Sequence, residues 1–166
     1  MATNMYIKFD GVDGEAEDKN HAQWIEILSW SHGFSQPSSP IRASSGSTVE
    51  KANHSSLNFT KYMDIATKDL LQACWNGKQY PKVDIECFRS DGTDDNAIKY
   101  LMINMEQVVI SNYSFSGGGG DIPIENLALS YGKITYTYDS KKKDDGTAAG
   151  AKVVSHDLKT NEVSAA

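Results

Sequence analysis

Four histidines, two cysteines and a run of four glycines are the residues of this chain with the most chemistry in them. Metal binding needs ligands that converge. His21, His32, His54 and His156 are widely spaced, and Cys74 and Cys87 form no Cys-x-x-Cys pair, so the spacing reads as surface or hydrogen-bonded core histidines and no metal centre. Nucleophilic catalysis is equally poorly served. Ser155-His156-Asp157 has the residue types of a relay. Neighbours on an extended chain point to opposite faces, however, and cannot hydrogen-bond in series. There is no Gly-x-Ser-x-Gly elbow. Asp94-Asp95 falls in the predicted turn SDGTDDN, where solvent leaves no reason for a shifted pKa. Nothing in the sequence supports an enzyme, and no residue set calls for a cofactor.

Gly117, Gly118, Gly119 and Gly120 invite a phosphate-cradle reading. A cradle needs a helix opening directly after the glycines, so that its N-terminal N–H groups face the anion. Pro123 and then strand-like alternation follow instead, and there is no Gly-Lys-Ser/Thr. The stretch Val108–Tyr138, VVISNYSFSGGGGDIPIENLALSYGKITYTY, therefore reads as two long strands joined by a glycine turn. Its second arm hides a detail. Leu127, Leu129 and Tyr131 are odd, Ile134, Tyr136 and Tyr138 even, so the apolar face changes side near Gly132 unless a bulge inserts a residue.

The elements that must position these residues read as mainly β. Met5, Ile7 and Phe9 alternate with Tyr6 and Lys8 as a first strand. HAQWIEILSWSHGF is apolar on both parities, which asks for cover on both faces, from its own core and from something else, another subunit being one candidate. Gln36–Thr48, QPSSPIRASSGST, is longer than an ordinary hairpin loop. Leu57, Phe59 and Tyr62 mark another strand. MDIATKDLLQACWNG predicts the one helix, with Thr67 as N-cap, Gly77 as stop, and Leu70, Leu71, Cys74 and Trp75 as its apolar stripe. Pro81–Arg89 and Ala97–Ser111 read as further strands, and Cys74 and Cys87 as core thiols. After Tyr138 the chain turns polar. Lys141 to Lys143 are cancelled by Asp144 and Asp145, and Val153, Val154 and Leu158 suggest a last short strand. About eight strands and one helix favour an antiparallel barrel or sandwich.

At 166 residues the chain fits one domain, 1–166, with 139–166 as a polar C-terminal extension. A formal charge of −6 argues against nucleic-acid or anionic-membrane partners. No apolar run is long enough to span a bilayer, and MATNMYIKFDG lacks the regions of a cleaved signal. The expectation is folding in the cytoplasm, with any export made without a cleaved signal peptide.

One ordered set of motifs runs through the chain: Met5-Tyr6-Ile7-Lys8, Val12-Asp13-Gly14-Glu15, Trp24-Ile25-Glu26-Ile27-Leu28-Ser29-Trp30-Ser31 and Phe59-Thr60-Lys61-Tyr62-Met63-Asp64. Ala73-Cys74, Tyr80-Pro81, Ser114-Phe115-Ser116-Gly117-Gly118-Gly119, Pro123, Glu125, Asn126 and Tyr131-Gly132-Lys133-Ile134 continue it. In these motifs the chain resembles the Hcp (haemolysin-coregulated protein) family, the inner-tube proteins of bacterial type VI secretion systems. One departure is visible: Ser155-His156-Asp157 stands where the family often has Gly-Trp-Asp before a Thr-Asn, here Thr160-Asn161.

The resemblance implies an antiparallel β-barrel of two packed sheets with one flanking α-helix, assembled into hexameric rings that stack into a secreted tube. Its implied partners are the sheath, spike and effector proteins, some effectors riding inside the ring. By analogy Ser29 and Ser31 line the lumen, the plainer alternative being a solvated strand face. The stretch Gln36–Thr48 resembles the loop that reaches the next ring, through Gln36, Pro37, Pro40, Ile41, Arg42, Gly46 and Thr48. Gly117–Gly120 would then be a turn at the ring edge. A monomeric barrel binding a small ligand, and a secreted hydrolytic effector, are the competing readings.

Overall fold

The computed structural model of the chain describes residues 3–37, 51–90, 97–141 and 148–166. Among them are twelve strands and one helix. They are β1 (Thr3–Phe9), β2 (Ile25–Glu26), β3 (Ser29–Ser31), β4 (Phe34–Ser35), β5 (Asn53–His54), β6 (Leu57–Tyr62), α1 (Thr67–Asn76) and β7 (Gln79–Ser90). β8 (Ala97–Ser116), β9 (Ile124–Ser130), β10 (Lys133–Lys141), β11 (Ala148–Asp157) and β12 (Glu162–Ala165) complete the order. Most of the predicted SDGTDDN turn and of the Lys141–Asp145 charge run lies outside the described residues. The strand count exceeds eight because long apolar stretches break in two and because residues 139–166 hold more strand than one short segment.

Ten strands form one antiparallel sheet in the order β12-β11-β10-β8-β7-β1-β2, and β9, β6 and β3 continue from the other half of β8. β4 and β5 pair only with each other. The mainly-β, antiparallel fold with a single helix is as the sequence anticipates. The ladders do not close into a barrel, however. Segment 25–31 pairs with β1 through β2 and with β6 through β3. Between the two, Ile27 N–H reaches the Met5 carbonyl at 3.0 Å and Leu28 N–H the Thr60 carbonyl at 2.8 Å.

The core lies inside this wrap, with Ile7, Phe9, Ile25, Leu57, Phe59, Tyr80, Ile85 and Ile103 buried together. Tyr6, expected to face solvent, is buried on the opposite face of β1 with Phe88, Ala16 and Trp24. The acidic loop 10–24 folds over that face. His21 pins it, stacked on Tyr6 at 4.7 Å, with Nδ1 2.7 Å from Asp18 Oδ2 and Nε2 2.7 Å from Glu86 Oε2. The hydrogen bond from His21 holds the Asp18 carboxyl below its ordinary range.

Helix α1 departs from its expected details at both ends of the argument. Ala66, not Thr67, is the N-cap; Thr67 is the first helical residue and its hydroxyl accepts the Asp64 N–H at 3.2 Å. Asp64 Oδ1 accepts the Ala66 N–H at 3.0 Å, so the pair closes the helix start reciprocally. Thr67, Leu70 and Ala73 form the buried stripe, while Trp75 is 79% exposed. At about 100° per residue Trp75 stands roughly 140° round from Leu70, beyond the face that meets the sheet. Gly77 ends the helix as predicted, at φ +69°.

Beneath the start of α1 lies a fully buried cation. Lys61 on β6 and Glu125 on β9 are register partners, both 0% exposed, and they form a salt bridge. Lys61 Nζ also donates to the Tyr62 carbonyl at 3.0 Å and lies 3.0 Å from Asp64 Oδ1 and 3.4 Å from Thr67 Oγ1. The Tyr113 phenol of β8 shares this pocket, and burial followed by the Glu125 charge pushes its pKa up.

A crease crosses the sheet at one level. Pro81 of β7 stands opposite Gln107 of β8, flanked by the pairs Lys82–Glu106 and Tyr80–Val108. Gly132, between Ser130–Val109 and Lys133–Glu106, meets Gln107 from the other side. β7, β8 and the β9–β10 segment change their buried face here. The buried residues shift from Ile103 and Met105 to Val108 and Ile110, and from Leu127, Leu129 and Tyr131 to Ile134. Gln107 has φ +55°, which rotates the chain without an inserted residue. A Cβ at Gly132 would stand 2.5 Å from Gln107 Oε1. The face change read at Gly132 is therefore real, and it belongs to three strands rather than one. A separate register shift lies between Ile110 and Asn112.

Two stability measurements follow from this packing. Lys61→Met should lower the unfolding free energy by about 3–5 kcal/mol, because two carboxylates lose their buried cation. The double variant Lys61→Met/Glu125→Leu should recover much of that loss in urea denaturation followed by circular dichroism; equal losses in both would contradict the account. Gly14→Ala should cost about 1–3 kcal/mol, since its Cβ would fall 2.4 Å from the Trp24 carbonyl oxygen.

Candidate functional site

The two serines singled out by sequence lie on a broad uncharged face. Ser29 and Ser31 of β3 are exposed and point away from the core, while Trp30 between them packs inward. Strand register extends this face sideways. Ser31, Asn58, Ala128 and Asn112 form one row across β3, β6, β9 and β8. Ser29, Thr60, Asn126 and Ser114 form the next. No ionisable side chain falls in either row. In a chain that is 23% charged, an uncharged polar surface four strands wide is a distinct chemical environment. Ser29 Oγ and Thr60 Oγ1 are 2.6 Å apart, and Ser111 Oγ donates to the Ala128 carbonyl at 3.1 Å. Hydroxyls and amides so arranged offer neutral hydrogen bonds without the desolvation cost of a charge. Asn58, Thr60, Asn112, Ser114 and Asn126 were not anticipated, since only strand register places them beside Ser29 and Ser31.

The glycine run lies at one end of the same surface. Gly117, Gly118, Gly119 and Gly120 are all exposed and connect β8 to β9, and no helix follows them. Only Gly120, at φ +98°, needs to be glycine on backbone grounds. From the predicted stacking loop, Gln36 and Pro37 follow β4 directly, with Gln36 exposed. Pro40, Ile41, Arg42, Gly46 and Thr48 lie outside the described residues.

Apolar side chains crowd other parts of the surface. Leu28, Tyr62, Met63 and Ile122 line a cavity of about 300 Å³ together with Glu15, Glu26 and Asp64. Phe34, Ala52, Ile134, Tyr136, Val154 and Val163 are among the residues lining a second, of about 410 Å³, between the β4–β5 hairpin and the β10–β12 edge. Ile65, Ile122 and Val163 are each at least 60% exposed.

The structure also brings together residues whose spacing hid their proximity. His32, His54 and His156 form one hydrogen-bonded chain with Tyr131 and Tyr136. No group of three or more possible metal ligands is found among the described residues. Ser155 and Asp157 flank His156 along β11, and Asp157 Oδ1 is taken up by the Lys159 and Thr160 N–H groups. Cys87 is buried, and burial pushes its thiol up to about 11, while Cys74 is half-buried against the core.

Comparison with known proteins agrees with this geometry. The model of the family described as type VI secretion system effector, Hcp, matches residues 6–138. The chain is 35% identical over 151 residues to Protein hcp1 of Pseudomonas aeruginosa, covering 90% of this chain and 91% of that one. It superposes with a TM-score of 0.88 on a solved type six secretion system protein, at 31% identity and with 98% and 100% of the two chains covered. Hcp1 from Salmonella typhimurium gives a TM-score of 0.76 at 25% identity, covering 99% and 100%. With the family model matched over residues 6–138 and a relative 35% identical over most of both chains, the chain belongs to the Hcp family of type VI secretion system effectors.

Proposed function

We propose that this chain is the tube subunit of a type VI secretion system, closing into hexameric rings that stack and leave the cell as a tube. The observation that carries this reading is the uncharged face built from Ser29, Ser31, Asn58, Thr60, Asn112, Ser114 and Asn126. A lumen that passes varied cargo is served by weak neutral contacts, which hold a passenger without trapping it. Exposed apolar groups elsewhere support the other half of the reading. Leu28, Ile122, Phe34 and Val163 lie outside this face and are each more than 40% exposed. A head-to-tail interface that closes on itself would cover such groups in a ring, and stacked rings would form a filament. The role is structural, with effector carriage as a property of the lumen and sheath and spike proteins as partners. The interior itself is filled, with Phe9, Phe59, Tyr80 and Leu127 all within 1% of complete burial, which disfavours a ligand-binding barrel.

Negative-stain images of the purified chain should show rings, and a field of separate monomers at high concentration would contradict the reading. Ser31→Trp should leave the rings intact while reducing co-purification of a lumenal effector, because the indole fills space and removes a hydroxyl. Shortening Gly117–Gly120 by two residues should leave soluble, folded protein with fewer rings. Unchanged ring formation would remove the turn from the ring edge.

A further inference from the structure

The β4–β5 hairpin continues β3 and β6 but shares no ladder with β10, β11 or β12, so side chains must join it to that edge. A directional chain of hydrogen bonds does so. The Ser55 carbonyl only accepts, and it lies 3.1 Å from His32 Nε2, so that nitrogen carries the proton. His32 Nδ1 then accepts the Tyr136 O–H at 2.5 Å, and Nε2 also faces the Tyr131 oxygen at 2.8 Å. The Tyr131 O–H in turn donates to His54 Nδ1 at 2.6 Å. His54 Nε2–H donates to His156 Nδ1 at 2.8 Å, and His156 Nε2–H to Asn161 Oδ1 at 3.0 Å. Each of the three rings is neutral and spends one donor and one acceptor.

We propose that this chain is an acid-opened latch, joining the β4–β5 hairpin to the β10–β11–β12 edge when its histidines are neutral and releasing it when they are protonated. A proton added at His54 Nδ1 meets the Tyr131 O–H across 2.6 Å, so that hydroxyl must turn away from its acceptor. A second, at the His54–His156 contact, sets two N–H groups face to face across 2.8 Å. The Ser55 carbonyl accepts from His32 and favours its charged form, but no carboxylate does the same for any of the three rings among the described residues. His32 faces Tyr136 from β10, Tyr131 from the β9–β10 joint and His54 from β5. His54 faces His156 from β11, and the Lys51 ammonium acts on it from beside β5. His156 faces Asn161 from the β11–β12 turn. Among the described residues none of the three has a carboxylate in salt-bridge contact; the buried His21, held by Asp18 and Glu86, is the opposite case. Burial lowers the pKa of His32 and His54, with His54 and His156 respectively adding to the effect. A lowered folded pKa means that the latched state binds fewer protons than the open one. Its stability is therefore fully present above about pH 6.5 and is lost as pH falls toward the depressed values.

Hydrogen–deuterium exchange on the whole chain tests this independently of ring assembly. Between about pH 7.5 and about pH 5, protection corrected for intrinsic exchange should fall several-fold at β5 and β12, as histidines titrate across this window. Protection at β1 and β7 should hold. In His32→Gln/His54→Gln/His156→Gln the pH step should vanish, since amides do not titrate in this range. Imidazole carbon-13 spectra of the unmutated chain should show Nε2–H tautomers for all three rings at the higher pH. A pH step that persists in the triple variant, uniform protection across the range, or Nδ1–H tautomers would each overturn the latch.

Discussion

The fold depends on a cation with no water around it. Lys61 is completely buried, and its ammonium gathers Glu125 from β9, Asp64 from the start of α1, and the Tyr62 carbonyl from its own strand. A buried charge is tolerated only when its partners replace the lost hydration, so each partner has to be in position for the others to be stable. That requirement fixes β6 against β9 in register and sets α1 over the sheet. Asp64 serves twice, bonding Lys61 and closing the first turn of the helix. The pair is better understood as specifying an arrangement than as adding net stability, since an apolar pair of the same volume would pack there too.

From that fixed register the uncharged face follows. With Lys61 and Glu125 inward, Thr60 and Asn126 must point outward, because strand period is two. Ser29 and Ser114 join them through β3 and β8. The crease at Pro81, Gln107 and Gly132 then turns the other half of β8 and β10 to a different buried face. One sheet can thereby present a neutral face at one end and an apolar, histidine-bearing edge at the other. On the tube reading the first would look into the lumen, and the second would lie where the chain meets its neighbours.

Much of the fold was legible in the sequence, and the missing parts have physical causes. Alternation located β1, β6 and β7, and Gly77 marked the end of α1, because these depend on local spacing and backbone chemistry. The parity switch at Gly132 was legible as a discrepancy, yet its cause was not: Gln107 adopts φ +55° although nothing local marks it as a turn residue. Trp75 was misplaced because an apolar side chain at roughly the right spacing looks like core until the contact face is known. The candidate site was visible only in outline. Ser29 and Ser31 stood out through family resemblance, whereas Asn58, Thr60, Asn112, Ser114 and Asn126 needed strand pairings of long range. The same holds for His32, His54 and His156, which are separated by many residues and meet only because β10 and β11 return beside β5.

The central claim is that the chain's neutral face becomes the inside of a closed ring. Native mass spectrometry of the purified protein tests it most directly. The account predicts a dominant species six times the mass of the 18.2 kDa chain. A distribution confined to the single chain at every concentration would contradict it.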